Sequence, residues 1–237
     1  MTGILAIETA TEACSVALWR DGDIEHRYEL AARQHNQRIF AMLQDLMPAG
    51  LDGVDAIAYG SGPGSFTGLR IAASAVQGLA YAADLPALPV STLACQVHTA
   101  LRLGLVSEGD YVFSSLDARI REIYFALYRI ENGVAVEVQA ARGDAPAKIV
   151  QASMPEAMIG LGSGCNFIEQ FPDRVSSALT QVHPNLLPEA RDLLPLAQKA
   201  LAAGDVQRAL DVQPVYVRDE VNWKKLPDQG KAQGKKS

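Results

Sequence analysis

Apolar and polar positions along the first part of the chain follow the pattern of strands. The segment from Ile4 to Thr9 is almost wholly apolar and carries one acid, Glu8, near its end, which is typical of a buried strand. Two further segments, Ser15 to Arg20 and Ile24 to Leu30, flank the turn residues Asp21-Gly22-Asp23. The pattern predicts three consecutive strands, the last two joined by a hairpin.

A helical period replaces this pattern after the third strand. Between Gln34 and Met47, the apolar residues Ile39, Met42, Leu43 and Leu46 recur three and four positions apart, which predicts an amphipathic helix. The elements predicted next are a strand over 54–59, a glycine-rich turn over 60–70, a helix over 71–83, and a helix capped by Ser91 or Thr92 that ends near Arg102.

The same order recurs in the second half of the chain. A buried segment from Tyr111 to Asp117 again ends in an acid, and two strands around a glycine turn follow over 122–139. A helix is predicted over 146–154, before a strand that ends in Gly162-Ser163-Gly164; the last helix, 193–203, ends at Gly204. We predict an α/β protein of two related halves, 1–103 and 104–223, with the end of the second packing back on the first.

Composition and charge narrow the classes of function. Apolar residues make up 49% of the chain, the net charge is -6, and no apolar run is long enough for a membrane span. The flexible tail predicted over 224–237 holds five lysines and one acid, which gives it +4 and leaves -10 on the rest. An acidic body does not indicate direct binding of nucleic acid. The tail is either a solvated end or a weak phosphate contact inside an assembly.

The three cysteines and the N-terminal segment indicate the cellular compartment of the protein. The cysteines are widely spaced without a CxxC motif, which predicts reduced thiols, and no basic segment precedes an apolar one at the N-terminus. We therefore expect a cytoplasmic protein.

The turn over 60–70 has the layout of an anion-binding site, because a strand, a glycine-rich turn and a helix N-terminus direct backbone N–H groups at one point. It matches neither the P-loop, since no Lys precedes a Ser or Thr, nor the dinucleotide fingerprint. Together with the strand-end acids, the residues predicted to line a nucleotide cleft are Glu8, Gly62, Gly64, Ser65 and Asp117. The alternative is that the glycines serve only positive φ angles.

No catalytic residue is predicted. Ser65 lies outside a G-x-S-x-G context and no His is assigned to it as a base. Asp117 and Arg119 lie close enough in sequence on a hairpin to form an ion pair, which would be either structural or functional.

The helix after the glycine-rich turn is built mostly from small residues on every side, which allows another helix to approach closely. With the preceding helix it would form a face for a partner. The residues predicted at this interface are His35, Ile39, Ala75, Gly78 and Ala82. The alternative is a helix buried on both sides within this fold.

Four segments resemble the bacterial TsaB (YeaZ) family and together span nearly the whole chain. They are Ile4–Leu18, Gly62–Arg70, Asp117–Tyr124 and Pro214–Lys225. The chain departs from the family pattern at Glu8, where members usually carry Asp, and at Val217, where they carry Leu. The longer acid lowers the expectation of nucleotide chemistry.

The resemblance implies two ribonuclease-H-like halves of the actin/sugar kinase/Hsp70 superfamily. It implies that the chain pairs with TsaD, which binds the metal and catalyses the reaction. It also implies that the chain works with the ATPase TsaE in threonylcarbamoyl transfer to the adenosine next to the anticodon, in tRNAs reading codons that begin with A. The sister family TsaD holds its metal through two His at i, i+4, whereas the residue four after His35 is Ile39. No metal and no tightly bound cofactor is therefore predicted, and ATP is used by the complex.

Two functions follow as hypotheses. The first is a non-catalytic scaffold that activates TsaD, contacts tRNA only through the assembly and forms a homodimer when alone. The second is a stand-alone ATP-dependent enzyme of the sugar-kinase type. The missing second His and the missing turn lysines favour the first.

Overall fold

The computed structural model of the chain describes residues 3–149 and 155–217. Its strands are β1 (Gly3–Glu8), β2 (Ala13–Arg20), β3 (Asp23–Leu30), β4 (Ala56–Gly62), β5 (Ala87–Ser91), β6 (Tyr111–Arg119), β7 (Glu122–Glu131), β8 (Val134–Asp144), β9 (Met158–Leu161) and β10 (Leu179–His183). Its α-helices are α1 (His35–Leu46), α2 (Phe66–Ala83), α3 (Thr92–Arg102), α4 (Asp173–Ala178) and α5 (Ala190–Ala203). Short 3-10 segments lie at Pro146–Lys148, Ser163–Gln170 and Ala209–Asp211.

The strands form two five-stranded sheets with the same topology. The first has the order β3-β2-β1-β4-β5, and the second, read from β8 to β10, has the equivalent order β8-β7-β6-β9-β10. In each sheet the first three strands pair antiparallel and the last two add in parallel. This repeat confirms the predicted fold class of two related α/β halves.

Both predicted hairpin turns have the geometry that favours glycine. The central residues Asp21 and Gly22 have φ angles of 55° and 99°, and Asn132 and Gly133 have φ angles of 53° and 71°. Two consecutive positive φ values define a type I′ turn, whose twist matches that of the flanking strands.

Helices separate and cover the two sheets. Helices α1 and α2 pack on the outer face of the first sheet, and α5 packs on its inner face. Helix α3 lies between the sheets, with Cys95 in the core of the first and Leu93 and Val97 in the core of the second. Phe113, Phe125 and Phe171 fill the outer core of the second sheet.

A half-buried ionic cluster joins α3 to α5. Arg102 donates to both carboxylate oxygens of Asp192, at 2.8 and 2.9 Å, and the hydroxyl of Thr99 donates to the same carboxylate at 2.8 Å. Because α5 covers the first sheet, this part of the C-terminal region packs with the N-terminal half.

Several element boundaries differ from the prediction. Helix α2 begins at Phe66 rather than Ile71, because Ser65 serves as its N-cap, and Gly68 lies inside its first turn. Strand β8 extends to Asp144, past the predicted end at Gln139. In place of the start of the helix predicted over 146–154 there is a 3-10 turn, and residues 150–154 lie outside the described range.

All three cysteine side chains are buried free thiols. Burial raises the pKa of Cys14 and of Cys165 to about 11, and that of Cys95 well above its ordinary value, so all three stay protonated near neutral pH. Of the helices in the described ranges, none combines the length and apolar character that crossing a membrane requires. The basic tail predicted over 224–237 lies outside these ranges.

Candidate functional site

The glycine-rich turn between β4 and α2 is packed against the segment that follows β1. The backbone N–H of Ser65 donates to the carbonyl of Ala10 at 2.7 Å, and the Ser65 hydroxyl accepts from the N–H of Gly68 at 3.4 Å. The turn therefore uses one of its own N–H groups, and its serine hydroxyl, to hold the fold together.

Glycine is required in this turn for two different structural reasons. Only Gly62 has a positive φ, at 123°. A side chain at Gly64 would lie 2.6 Å from the carbonyl oxygen of Ala10, and one at Gly68 would overlap the carbonyl of Thr9. The idea that the glycines serve only positive φ is therefore wrong for Gly64 and Gly68, which permit close backbone approach.

The chain's own C-terminal segment crosses this turn. We call residues 212–217 the C-terminal strap. The N–H of Val215 donates to the carbonyl of Ser61 at 2.8 Å, and the carbonyl oxygen of Val215 lies 2.7 Å from where a Gly62 side chain would begin. The hydroxyl of Tyr59 donates to Gln207 at 2.9 Å and to the carbonyl of Gln213 at 3.2 Å. The strap thus covers the end of β4 nearest the turn.

Glu8 is fully buried at the end of β1. One carboxylate oxygen accepts from the N–H of Ala10 at 2.6 Å, and the other has no hydrogen-bond partner within the described ranges. The carboxyl group occupies the space that a side chain at Gly60 would fill. Burial raises the pKa of Glu8 from its ordinary 4.5 to about 7, against the opposing effect of the Ala10 hydrogen bond. Glu8 is therefore partly protonated at neutral pH.

Asp117 occupies the equivalent position at the end of β6 and is also bonded locally. Its N–H donates to the Ser163 hydroxyl at 2.9 Å, and its carboxylate accepts from the N–H of Arg119 at 2.8 Å. The expected ion pair with the Arg119 guanidinium is present at 3.5 Å, although Arg119 is largely exposed. In residues 3–149 and 155–217, no cluster of three or more His, Cys, Asp or Glu side chains is arranged to hold a metal. Binding of a nucleotide by Glu8, Gly62, Gly64, Ser65 and Asp117 stays a prediction.

Helices α1 and α2 carry an exposed apolar surface on the outside of the first half. Phe40 is 60% exposed, Phe66 57% and Tyr81 69%. Gly78 and Ala82 are also exposed, and no atom of the described residues lies within 4 Å of where a Gly78 side chain would begin. We call these five residues the partner face.

Three of the predicted interface residues have little exposed surface. His35, Ile39 and Ala75 are buried, and the ring of His35 contacts the carbonyl of Ala13 at 3.2 Å. Their side chains are mostly covered by this chain itself, although Ala75 also borders the space between α1 and α2. A contact of these three residues with a partner stays a prediction. The outward residues of α2 recur as Arg70, Ser74, Gly78 and Tyr81, a helical spacing that was visible in the sequence.

A groove of about 480 Å³ runs between the two helices. It is lined by Asn36, Phe40, Phe66, Thr67, Arg70, Ile71, Ser74 and Ala75. We call it the inter-helix groove. At one end the Phe66 ring lies 5.8 Å from that of Tyr216, and the Arg70 guanidinium lies 3.8 Å above the Phe66 ring. Arg70 also donates to the Tyr216 hydroxyl at 3.1 Å, so the strap is hydrogen-bonded to α2 at this end of the groove.

Comparison with known proteins gives consistent matches. A family model described as TsaD: tRNA N6-adenosine threonylcarbamoyltransferase matches residues 28–225. The tRNA threonylcarbamoyladenosine biosynthesis protein TsaB of Escherichia coli is 41% identical, covering 94% of this chain and 98% of that protein. The protein of the same name from Haemophilus influenzae is 36% identical, covering 94% and 97%. The structure of YeaZ from Pseudomonas aeruginosa superposes with a TM-score of 0.84 at 38% identity, over 91% of this chain and all of that one.

Proposed function

We propose that this chain, which belongs to the TsaB family and acts in the biosynthesis of threonylcarbamoyladenosine in tRNA, is the non-catalytic partner of TsaD. In this proposal TsaD performs the transfer to the adenosine next to the anticodon, and TsaE uses the ATP. The chain itself holds no tightly bound cofactor and works in the cytoplasm.

The observation that carries the proposal is the partner face. Large apolar side chains exposed together on two adjacent helices are typical of a protein–protein contact. The family model that matches this chain is that of TsaD, so the two proteins share a fold. Two related folds can present equivalent helical faces and pair about a pseudo-two-fold axis, and the same face would support a homodimer of the chain alone.

The glycine-rich turn supports a non-catalytic role. Its Ser65 N–H and hydroxyl are used internally, and Glu8 is buried beside Gly60 rather than directed into solvent. A second Pseudomonas aeruginosa structure is described as a protein with similarity to the peptidase YEAZ. For this chain, Ser65 caps helix α2, and we expect no peptidase turnover.

A reconstituted modification assay tests the proposal. TsaD, TsaE, tRNA, ATP and the threonylcarbamoyl donor are combined with and without this chain. Omission should lower the modification rate by about tenfold or more, because a partner acts through a coupling free energy of a few kcal/mol. Equal rates with and without the chain would contradict the proposal.

The kinase-like alternative has its own test on the isolated chain. An enzyme site that binds Mg-ATP tightly should raise the melting temperature by mass action. We expect no such rise and no ATP turnover. Turnover in the isolated chain that is lost in a folded Glu8→Ala variant would favour the kinase-like function instead.

A further inference from the structure

The turn between β6 and β7 has a backbone geometry that its residues do not favour. Strand β6 ends at Arg119 and β7 begins at Glu122, so Ile120 and Arg121 form a two-residue turn. Their φ angles are 54° and 61°, which is the type I′ geometry, and the φ angle of Arg119 is 64°. A positive φ is an outlier for a β-branched residue such as Ile, because the side chain crowds the backbone. We call residues 119–121 the hairpin tip.

Two other type I′ turns of this chain show which residues the geometry favours. They are Asp21-Gly22 and Asn132-Gly133, and each carries glycine at its second position. Asp, Asn and Gly adopt a positive φ more readily than other residues do. The hairpin tip has the same geometry without any of these residue types, so ease of turn formation does not explain its sequence. Strained backbone that disagrees with the local sequence is typical of a functional position.

The hairpin tip also presents an apolar side chain between two cations. Ile120 is 81% exposed, more than any other large apolar residue in the described ranges. The Arg119 side chain is 86% exposed. Arg121 is exposed as well and, within residues 3–149 and 155–217, forms no ion pair with a carboxylate. Burial of the apolar side chain and pairing of the guanidinium groups would both stabilise a contact.

The charge around the hairpin tip favours a protein over a nucleic acid as its partner. Two acids of the same hairpin lie beside the tip, since Asp117 pairs with Arg119 and Glu122 is opposite Arg119 in the strand register. The chain outside 224–237 carries -10. A phosphate backbone is recognised through a basic patch, which these surroundings do not form. Two arginines around one apolar side chain instead fit an apolar pocket rimmed by carboxylates.

We propose that the hairpin tip binds a protein of the modification assembly, with Ile120 in an apolar pocket and Arg119 and Arg121 beside carboxylates at its rim. The tip belongs to the second sheet, whereas the partner face lies on helices that cover the first. The two surfaces are therefore separate contacts. The proposal rests on the proposed function, because it assigns the pocket to TsaD or TsaE.

The strained turn predicts opposite effects on stability and on function. Ile120→Asn combined with Arg121→Gly installs the Asn-Gly pair that type I′ turns favour, and should raise the melting temperature of the isolated chain by about 3 °C. The same double variant should lower the modification rate in the reconstituted assay about tenfold, because the apolar anchor and one charge are lost. A melting temperature that does not rise, or a modification rate equal to that of the wild type, would overturn the proposal.

The turn between β2 and β3 provides a matched control. Asp21→Asn creates the same Asn-Gly pair there, at an exposed position of the first half. Because Asp already tolerates the geometry, we expect neither the melting temperature nor the modification rate to change measurably. An equal loss of modification in this control would show that the effect is not specific to the hairpin tip, and would overturn the proposal.

Hydrogen exchange locates the contact without depending on turnover. Amide exchange of residues 116–124 and of helices α1 and α2 is compared between the isolated full-length chain and its mixture with TsaD and TsaE. We expect slower exchange in both regions of the mixture. Protection of the helices alone would overturn this proposal and leave the proposed function standing, whereas protection of neither region would contradict both. Protection of 116–124 that appears only after tRNA is added would identify a nucleic-acid contact and overturn the proposal.

Discussion

At the scale of single residues, the family-like motifs are explained by close packing. Gly60 leaves room for the carboxyl of Glu8, and Gly64 and Gly68 allow the turn to approach the backbone after β1. The acid at the end of β1 is longer than the Asp of the family pattern, and it is accommodated in the interior, where one of its oxygens has no hydrogen-bond partner among the described residues. Because burial changes the pKa of such a group, the group makes the free energy of unfolding depend on pH.

We predict that Glu8 makes the free energy of unfolding fall as pH rises from about 4.5 to 7. The folded-state pKa is about 7 and the ordinary value is 4.5, so in this window the folded protein holds a proton that the unfolded chain has lost. The full difference is about 3 kcal/mol. Urea unfolding across this window should show Glu8→Gln gaining stability relative to the wild type as pH rises, and then a constant difference. A constant difference throughout would contradict the prediction.

Two glycines of α2 provide a matched comparison. Gly68→Ala should lower the free energy of unfolding by about 3 kcal/mol, because the added methyl overlaps the carbonyl of Thr9. Gly78→Ala should raise it by about 1 kcal/mol, because the site is open and Ala has the higher helix propensity. Chemical denaturation measures both. Equal effects of the two variants would show that close packing is not the reason for Gly68.

At the scale of elements, the two helices on the outside of the first sheet divide their residues between core and surface. Leu69, Ala72 and Val76 of α2 face the sheet, while Gly78, Tyr81 and Ala82 are exposed. Ala75 forms part of the groove lining and is 6% exposed. A small residue on this helix is therefore buried at one turn and exposed at a neighbouring turn.

We predict that Ala82→Arg weakens binding to TsaD while Ala202→Arg, an exposed position of α5, leaves it unchanged. A bulky charge within a desolvated contact loses most of its hydration, which should raise the dissociation constant by about tenfold or more. Titration calorimetry with purified TsaD provides the measurement. Normal binding by folded Ala82→Arg would place the contact elsewhere.

Ala75→Arg should behave differently from Ala82→Arg. Because Ala75 is buried, the substitution should lower the free energy of unfolding by about 3 kcal/mol before any effect on a partner is considered. Thermal melts of both variants check this. An unchanged melting temperature for Ala75→Arg would show that the site tolerates a long side chain along the groove.

In the molecule as a whole, two elements from the C-terminal region pack against the first of the two sheets and its glycine-rich turn. Helix α5 covers the inner face of the first sheet, and the strap crosses the glycine-rich turn. The charge is divided as well, with +4 on residues 224–237 and -10 on the rest.

We predict that removing residues 226–237 leaves folding and TsaD binding intact and reduces the salt dependence of tRNA binding by the full assembly. Three lysines are lost, and each phosphate contact contributes a little less than one unit to the slope of log K against log salt, so the slope should flatten by about 2. Filter binding at several salt concentrations measures it. An identical slope in both assemblies would leave the tail without a role in tRNA binding.

Elements with local signals could be predicted from the order of amino acids alone. Alternating and periodic apolar residues marked most strands and helices, Asp21-Gly22 and Asn132-Gly133 marked hairpins, and Ser91 and Gly204 marked helix ends, because turn and cap preferences depend on a few adjacent residues. The repeated order of elements was also visible, since the same patterns recur in each half.

The side of each element that is covered depends on long-range packing, which the sequence pattern could not predict. The burial of Ile39 and Ala75, the exposure of Phe40, and the space that Gly60 leaves for Glu8 all depend on contacts between residues distant in sequence. Helical spacing separates two faces of a helix but does not say which face meets the sheet when both carry small or apolar residues. That choice is made by packing across the whole chain, and it is what distinguishes the partner face from the core.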